Sequence, residues 1–399
     1  MRIIHDDLIT SQQSGTANPY IYLEINSIDY SSRLISLQDV QEPYRDTATI
    51  VLANSDRYFD GVNLLGKSFT IGYGYVTDSG NRYCGDSAGS EATPTLWVKS
   101  QSMVSMEGKA VCILYCEGCW MRLREYNYVT GGTLPYFEIK HSIDSVYTLM
   151  GKALAEAGFT LNALGAGDDG IINDLHPLLT INPFVYENPA AILYRLIQMT
   201  MTYLRGVEGS AFEVVYPQSA DGVNETYYSD QAPYFKEYVE KLDLLVPNHI
   251  VVYANRDRNT GVWNTTDYPL IIGHYRDPDQ FELETAGSFT VGRSYTIETI
   301  GTTDFTLIGA TSNTVGVKFT STGTGSGTGT AWGYTASYGE VIEYWIAPYL
   351  DNQTDADNRA MAILQRYRNE TLAGRAVLPF HDCRVEMYDR VAIEDNRGL

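Results

Sequence analysis

Residues Thr320 to Trp332 read TSTGTGSGTGTAW, and three architectures compete for them: a flexible linker, a phosphate-cradling loop or a piece of sheet. In the longer run from Val315 to Trp332, the odd positions are Val315, Val317, Phe319, Ser321, Gly323, Gly325, Gly327, Gly329 and Ala331. Thr or Ser fills every even one from Thr320 to Thr330. A period of two belongs to a strand. A linker has no reason to keep that register, whereas a strand face that shrinks from Phe to Gly lets another backbone approach closely. The phosphate loop fails on chemistry. Gly329 is followed by Thr330 and Ala331, where a Lys and a hydroxyl would be needed to reach phosphates and magnesium, and no GxGxxG spacing occurs. Upstream, FTVGRSYTIETIGTTDFTLIGA alternates in the same manner, so Phe289 to Trp332 is expected to be a small inserted β module. Strands rarely exceed about ten residues, so its distal Gly/Thr half is expected to bend.

Sheet patterns also flank this module. From Tyr20 to Trp120 the runs YIYLEI, TATIVLAN, SFTIGYGY, LWVKS and AVCILYCEG are short, rich in Val, Ile, Thr and Tyr, and separated by turn residues. They predict an antiparallel sandwich or small barrel, with VTDSGNRYCGDSAGSEATPT as a long exposed loop. The period then changes. Ser142 is a candidate cap for a helix with Val146, Leu149, Met150, Ala153, Leu154 and Ala157 on one face and Gly158 at its end. Asn188 and Pro189 open a second helix carrying Ile192, Leu193, Leu196, Ile197 and Thr200. LLTINPF and AFEVVYP read as strands beside them, which predicts a small α+β domain. HIVVYAN, YPLIIGHY and EVIEYWIA return to strand patterns. A last helix follows, with Thr354 to Asp357 as a capping box and Ala360, Ile363, Leu364 and Tyr367 as its stripe, and then two strands in RAVLPF and RVEMYDRVAIED.

Composition narrows the function. The 399 residues, 44% hydrophobic, are ample for folded cores, and 28 Lys and Arg against 49 Asp and Glu give a formal charge of −21. That balance argues against a sequence-independent grip on nucleic acid phosphates. The 31 Tyr, 12 Phe and 5 Trp suit half-buried sheets, wet interfaces and carbohydrate contacts alike. No signal-like apolar region opens the chain and no run approaches the roughly 18 apolar residues of a membrane helix, so a soluble, cytoplasmically made protein without a membrane segment is expected. Cys84, Cys112, Cys116, Cys119 and Cys383 form no disulfide framework. Within CILYCEGC, Cys112, Leu114 and Cys116 share one strand face, with no second CxxC or nearby His to complete a zinc site.

Enzymatic readings turn on the acidic and histidine residues. Asp168 with Asp169 and Asp355 with Asp357 sit in turn or helix-start contexts where acids are expected structurally. DNQTDADN lacks the Gly and distal Glu of a calcium loop. His5, His141, His176, His249, His274 and His381 are scattered, and no GxSxG elbow occurs. No catalytic, metal or cofactor site is expected.

The order of parts carries a resemblance. IDYSSRLISLQDVQEPYRDTATIVLANSDRYFDG, then LLGKSFTIGYGY and a later WV, resembles the first barrel of bacteriophage tail hub proteins, the tail-tip or baseplate hub family. SVYTLMGKALAEAGF with YENPAAILYRLIQMTMTYLRGVEGSAFEVVYP is similar to that family's α+β domain, and DADNRAMAILQRYRNETLAGRAVLPFHDCRVEMYDRVAIEDNRG to its closing helix and strands. The Gly/Thr module is similar to one that recurs in phage structural proteins. The resemblance implies a mainly β fold with an α+β part: two β-barrel-like tail-hub domains, an intervening α+β domain and the inserted module. The corresponding boundaries are 1–134 for the N-terminal barrel, 135–245 for the α+β domain, 246–285 with 333–399 for the second barrel, and 286–332 for the module.

The implied function is structural, not enzymatic: a distal hub ring in the virion tail tip. It would be a homotrimer joined to a distal tail or tail tube protein, a tip fibre or spike protein and a tape measure protein, with DNA only in passage. Glu386, Tyr388, Asp389 and Asp395 carry part of the resemblance and are expected to fold the last strands. Two departures from the family pattern are the module's interruption of the second barrel and the chain's stop at Leu399, where family members often continue. These are expected to reflect a barrel completed by another subunit or a shortened chain. A carbohydrate-binding adhesion protein, and after it a tail-associated glycan hydrolase, are the alternative readings.

Overall fold

The computed structural model describes residues 1–397 apart from 15, 107, 126–143, 179–186, 242–245, 258–259, 336–338 and 372. The fold is mainly β with an α+β part. The chain divides into two units, Met1–Lys241 with Ala373–Leu399, and Leu242–Leu372.

The first unit opens with α1 (Asp6–Gln13) and nine strands: β1 (Pro19–Ile25), β2 (Ile28–Asp29), β3 (Leu34–Glu42), β4 (Arg45–Ala53), β5 (Ser68–Phe69), β6 (Ile71–Thr77), β7 (Gly80–Tyr83), β8 (Leu96–Met106) and β9 (Lys109–Glu117). They form two sheets, ordered β2-β1-β6-β7 and β3-β4-β9-β8-β5, around a single apolar core. Register explains the match to the sequence pattern. Ala48, Ile50 and Leu52 stand opposite Cys116, Leu114 and Cys112, and all six are buried, so the alternating faces of two neighbouring strands enter the core together. One expectation fails here. The segment read as a long exposed loop turns back at Gly80, pairs β7 with β6, and buries Cys84 and Thr93. Its polar composition hid a short hairpin whose turn needs the positive φ of +105° at Gly80.

The α+β part follows with α2 (Cys119–Glu125), α3 (Val146–Glu156), β10 (Thr160–Leu161), α4 (Pro189–Ile197), β11 (Tyr203–Val207) and β12 (Ala211–Val215). Helix α3 buries Val146, Leu149, Met150, Ala153 and Leu154, as its spacing predicts, and Gly158 adopts φ +79° beyond its end. Ser142 lies outside the described residues, and the cap is Ser145, whose Oγ accepts from Thr148 N at 3.2 Å. Asn188 caps α4 as expected, its Oδ1 accepting from Ala191 N at 2.9 Å. AFEVVYP supplies β12 in a sheet ordered β10-β12-β11, whereas most of LLTINPF lies outside the described residues.

Next come β13 (Glu225–Tyr228) and β14 (Glu237–Lys241), then the second unit with β15 (His249–Ala254), β16 (Ile271–Arg276), β17 (Phe281–Thr285), β18 (Ser294–Thr299), β19 (Lys318–Thr320), β20 (Thr330–Tyr334), β21 (Ile342–Ala347) and α5 (Gln353–Thr371). The chain then returns to the first unit as β22 (Ala373–Val377) and β23 (Val391–Glu394). There β13 pairs in parallel with β23 and β14 antiparallel with β22. Residues 373–397 therefore sit with the first unit, whereas the sequence groups 333–399 with 246–285. Strand pairing over more than a hundred residues of separation carries no local signature.

In the second unit α5 packs on a sheet ordered β16-β15-β21. Its capping box is Asn352 with Asp355, not Thr354 with Asp357: Asp355 N donates to Asn352 Oδ1 at 2.8 Å and Asn352 Nδ2 to Asp355 Oδ2 at 2.9 Å. Asp357 instead accepts from His274 N at 2.9 Å.

The inserted module has its own sheet, ordered β17-β20-β18-β19, and its own core of Phe289, Tyr295, Ile297, Phe305, Ile308, Ala310, Phe319 and Ala331. The sheet reaches beyond 286–332 to Phe281 and Tyr334. The Gly/Thr run is not one strand. It is β19, an irregular crossing over 321–329, and β20. Gly325 and Gly327 adopt φ +75° and +110°, and a Cβ on Gly327 would lie 2.6 Å from Thr303 Oγ1. Close backbone approach is thus met by a bent crossing, and the alternation breaks because these glycines leave the extended region.

Candidate functional site

Glu386, Tyr388 and Asp389 sit on a turn between the two C-terminal strands of the first unit, where Asp389 N donates to Glu386 O at 3.1 Å and Glu386 N to Asp389 Oδ2 at 2.9 Å. Tyr388 enters the left-handed region at φ +72°, and its ring lies 4.7 Å from that of Tyr203. Both acids face cations from distant parts of the chain. Asp389 Oδ1 accepts from the Met1 amino group and from Arg205 Nη1, each at 3.0 Å, and Glu386 Oε1 from Arg2 Nη2 at 3.2 Å. Arg205 Nε also donates to Glu213 Oε1 at 2.6 Å and Nη1 to Met387 O at 3.0 Å.

This cluster is shielded from water, with side-chain exposures of 9% for Arg205 and 6% for Asp389. Burial opposes the charge on Arg205, but Glu386, Glu213 and Asp389 outweigh it and hold its pKa above the ordinary value. The same clasp continues toward α1. Arg2 Nη1 donates to Cys383 O at 2.9 Å, Gln12 Nε2 to Asp382 Oδ1 at 2.9 Å, and Tyr227 Oη to Asp382 Oδ2 at 3.0 Å. Asp395 is not part of it. It lies beyond β23, where it accepts from Arg397 N at 3.0 Å and Arg397 Nε at 2.9 Å.

Three of the four motif residues thus come together, and they do so through Arg2, Arg205, Glu213, Asp382 and Gln12, none of which the sequence singles out. Their partners lie up to 388 residues away, and an isolated Arg in a strand such as YLRGV gives no sign of a buried counter-charge. Chemically the arrangement is a charge-compensated clasp whose carboxylates are directed at chain cations. The other carboxylate candidates also make local contacts: Asp168 Oδ1 accepts from Tyr216 N at 3.0 Å and Asp169 Oδ1 from Asn173 N at 3.1 Å. All five cysteines are free and buried. Among the described residues no group of three or more His, Cys, Asp or Glu side chains could hold a metal ion, and no helix is long and apolar enough to cross a membrane.

No protein-family model and no curated protein sequence matches the chain. Solved structures do. A tail protein from Neisseria meningitidis MC58 superposes with a TM-score of 0.55 at 12% identity, covering 96% of this chain and 88% of that one. The prophage MuSo2 43 kDa tail protein from Shewanella oneidensis gives 0.52 at 9% identity, covering 96% and 91%. The chain shares the fold of these phage tail proteins over nearly its whole length.

Proposed function

We propose that this protein is a non-enzymatic structural component of a phage or phage-like tail, the hub ring at its distal end. The observation that carries this reading is the shared fold with two tail proteins over 96% of the chain. Coverage of that extent supports equivalence of the whole architecture rather than of one barrel. The hub is a homotrimer. It joins the tail tube or distal tail protein, and a tape measure protein, to a tip fibre or spike, and DNA crosses it only in passage. A closed ring buries strand edges that would otherwise invite uncontrolled pairing. The net charge of −21 suits acidic channel walls that repel phosphates and let DNA slide. Glu386, Tyr388 and Asp389 serve folding, holding the C-terminal turn against Met1, Arg2 and Arg205, and Asp395 serves the last strand.

The inserted module is peripheral. Thr335 N donates to Gln280 O at 2.9 Å, so the module leaves and re-enters the unit at one point, as a tolerated insertion should. The primary test is the solution mass of the purified protein with negative-stain imaging of the same sample. Three-fold rings with a central hole are expected, and a monomer that stays monomeric when mixed with its tail neighbours would overturn the hub. Deleting 281–334 and closing the gap with a short linker should leave ring formation intact.

A further inference from the structure

A cleft of about 510 Å³ opens in the first unit beside the clasp, within the roughly 300–1,000 Å³ typical of small-ligand sites. Its lining mixes aromatic rings, Tyr20, Tyr73 and Phe380, with four polar side chains, Asp39, Gln41, Arg2 and His381, the last tilted against the Tyr73 ring at 4.2 Å. Asp39 and Gln41 fall two residues apart on β3 and so share a face with each other. Tyr73 Oη donates to Asp39 Oδ2 at 2.9 Å and Gln41 Nε2 to the same oxygen at 3.2 Å, which orients the carboxylate. A carboxylate offers about four acceptor sites, so these donors leave room for a ligand hydroxyl. Arg2 is 6% exposed, and both of its Nη atoms are engaged. Its guanidinium is thus committed to the chain, and it contributes positive charge to the cleft wall rather than a free donor.

We propose that this cleft binds a neutral saccharide. The ligand must present hydroxyl donors to Asp39, an oxygen acceptor to Gln41, and a C–H face to the rings. A pyranose carries all three within one residue. A phosphate-bearing ligand would meet the Asp39 carboxylate, and a purely apolar ligand would strand the polar groups. The assignment gives the carbohydrate contacts that the aromatic content allows a definite place, in the first unit.

Saturation-transfer NMR on the full chain, with glucose, galactose, N-acetylglucosamine and its β-linked dimer at millimolar concentration, tests the proposal. At least one sugar should give a saturable response. Asp39→Asn should weaken it about tenfold or more, the effect of losing a charged hydrogen-bond partner. The exposed Gln41→Ala should weaken it as well, which keeps the test decisive where Asp39→Asn fails to fold. No response from any sugar, a response undiminished in either folded variant, or displacement only by a proline-rich peptide would overturn the proposal. Ring assembly is scored on the same sample, so a ring that binds no sugar rejects the cleft alone.

Discussion

The module core and the C-terminal clasp hold their segments by opposite means. In the module, Phe289, Tyr295, Phe305 and Phe319 stack within one stretch of chain, with ring centroids 4.9 to 6.2 Å apart. Every ring comes from an alternating run, although only Tyr295 and Phe319 stand in strands: Phe289 lies outside them and Phe305 opens a short 3-10 helix, Phe305–Ile308, where the alternation predicts strand. The clasp is built from charges that meet only after the chain has returned from the second unit. Non-directional burial tolerates local error, whereas a buried ion cluster demands that distant residues arrive together.

The largest effect is expected at the module. Phe305→Ala should cost about 3–5 kcal/mol, the range for emptying a fully buried aromatic site. Hydrogen exchange should show the loss within 281–334 while the first unit stays protected, and uniform loss would break the contrast. At the clasp, Arg205→Met removes the cation shared by Glu386, Asp389 and Glu213 and leaves only Met1 and Arg2 to offset Asp389 and Glu386. It should cost about 3 kcal/mol, the lower end for breaking a buried pair, read as a shift in denaturation midpoint of the first unit. Adding Glu386→Gln and Asp389→Asn should recover part of that loss, because the penalty lies in the excess of buried negative charge.

A smaller effect sharpens the reading of the Gly/Thr crossing. Gly327→Ala should cost about 2 kcal/mol through its positive φ and the contact with Thr303. Ala at Gly323, which has no positive φ and only a 3.5 Å approach to Ile308, should cost far less, and equal costs would mean the crossing is simply loose.

The last prediction concerns acid. His249 Nδ1 lies 2.8 Å from Glu340 Oε1 and its Nε2 3.3 Å from His274 Nδ1, with Lys318, Tyr334, Arg276, Glu298 and Asp357 around the pair. Burial, opposed by Glu340, pushes the His249 pKa below its ordinary value, so the folded state keeps it neutral while the unfolded chain takes up a proton near pH 6.5. The stability this provides is present above about pH 6.5 and falls as the pH drops below it. Burial tends to raise the Glu340 pKa, yet hydrogen bonds from His249 and Lys318 hold it at about 2, so a second loss follows as the pH falls from its ordinary value toward about 2. Thermal melts of the second unit should decline between about pH 7 and about pH 5, and His249→Asn should flatten that slope.

Particular residues separate what acts locally from what acts across the fold. Asn188 and Pro189 marked α4 because capping and a fixed φ act within one turn. Ser142 and Thr354 were misplaced as caps by two or three residues, since several polar residues in a row compete for the role and only backbone geometry selects one. Glu386 and Asp389 were picked out by resemblance, but Arg205 was invisible because nothing near it in sequence announces its partners. Asp39 and Gln41 carry no local signal of a site, because only the folded chain brings Arg2 and Phe380 beside them.

The sequence by itself determined the mainly β class, the faces that β4 and β9 bury, the helices α3 and α4, and the existence of a self-contained β module. All of these rest on periodicity and caps that act over a few residues. Tertiary structure alone decided that residues 373–397 rejoin the first unit, that the Gly/Thr run bends instead of extending, and that Arg2, Arg205, Glu386 and Asp389 meet. Those outcomes depend on contacts across hundreds of residues, and their energies exist only once the intervening chain has folded.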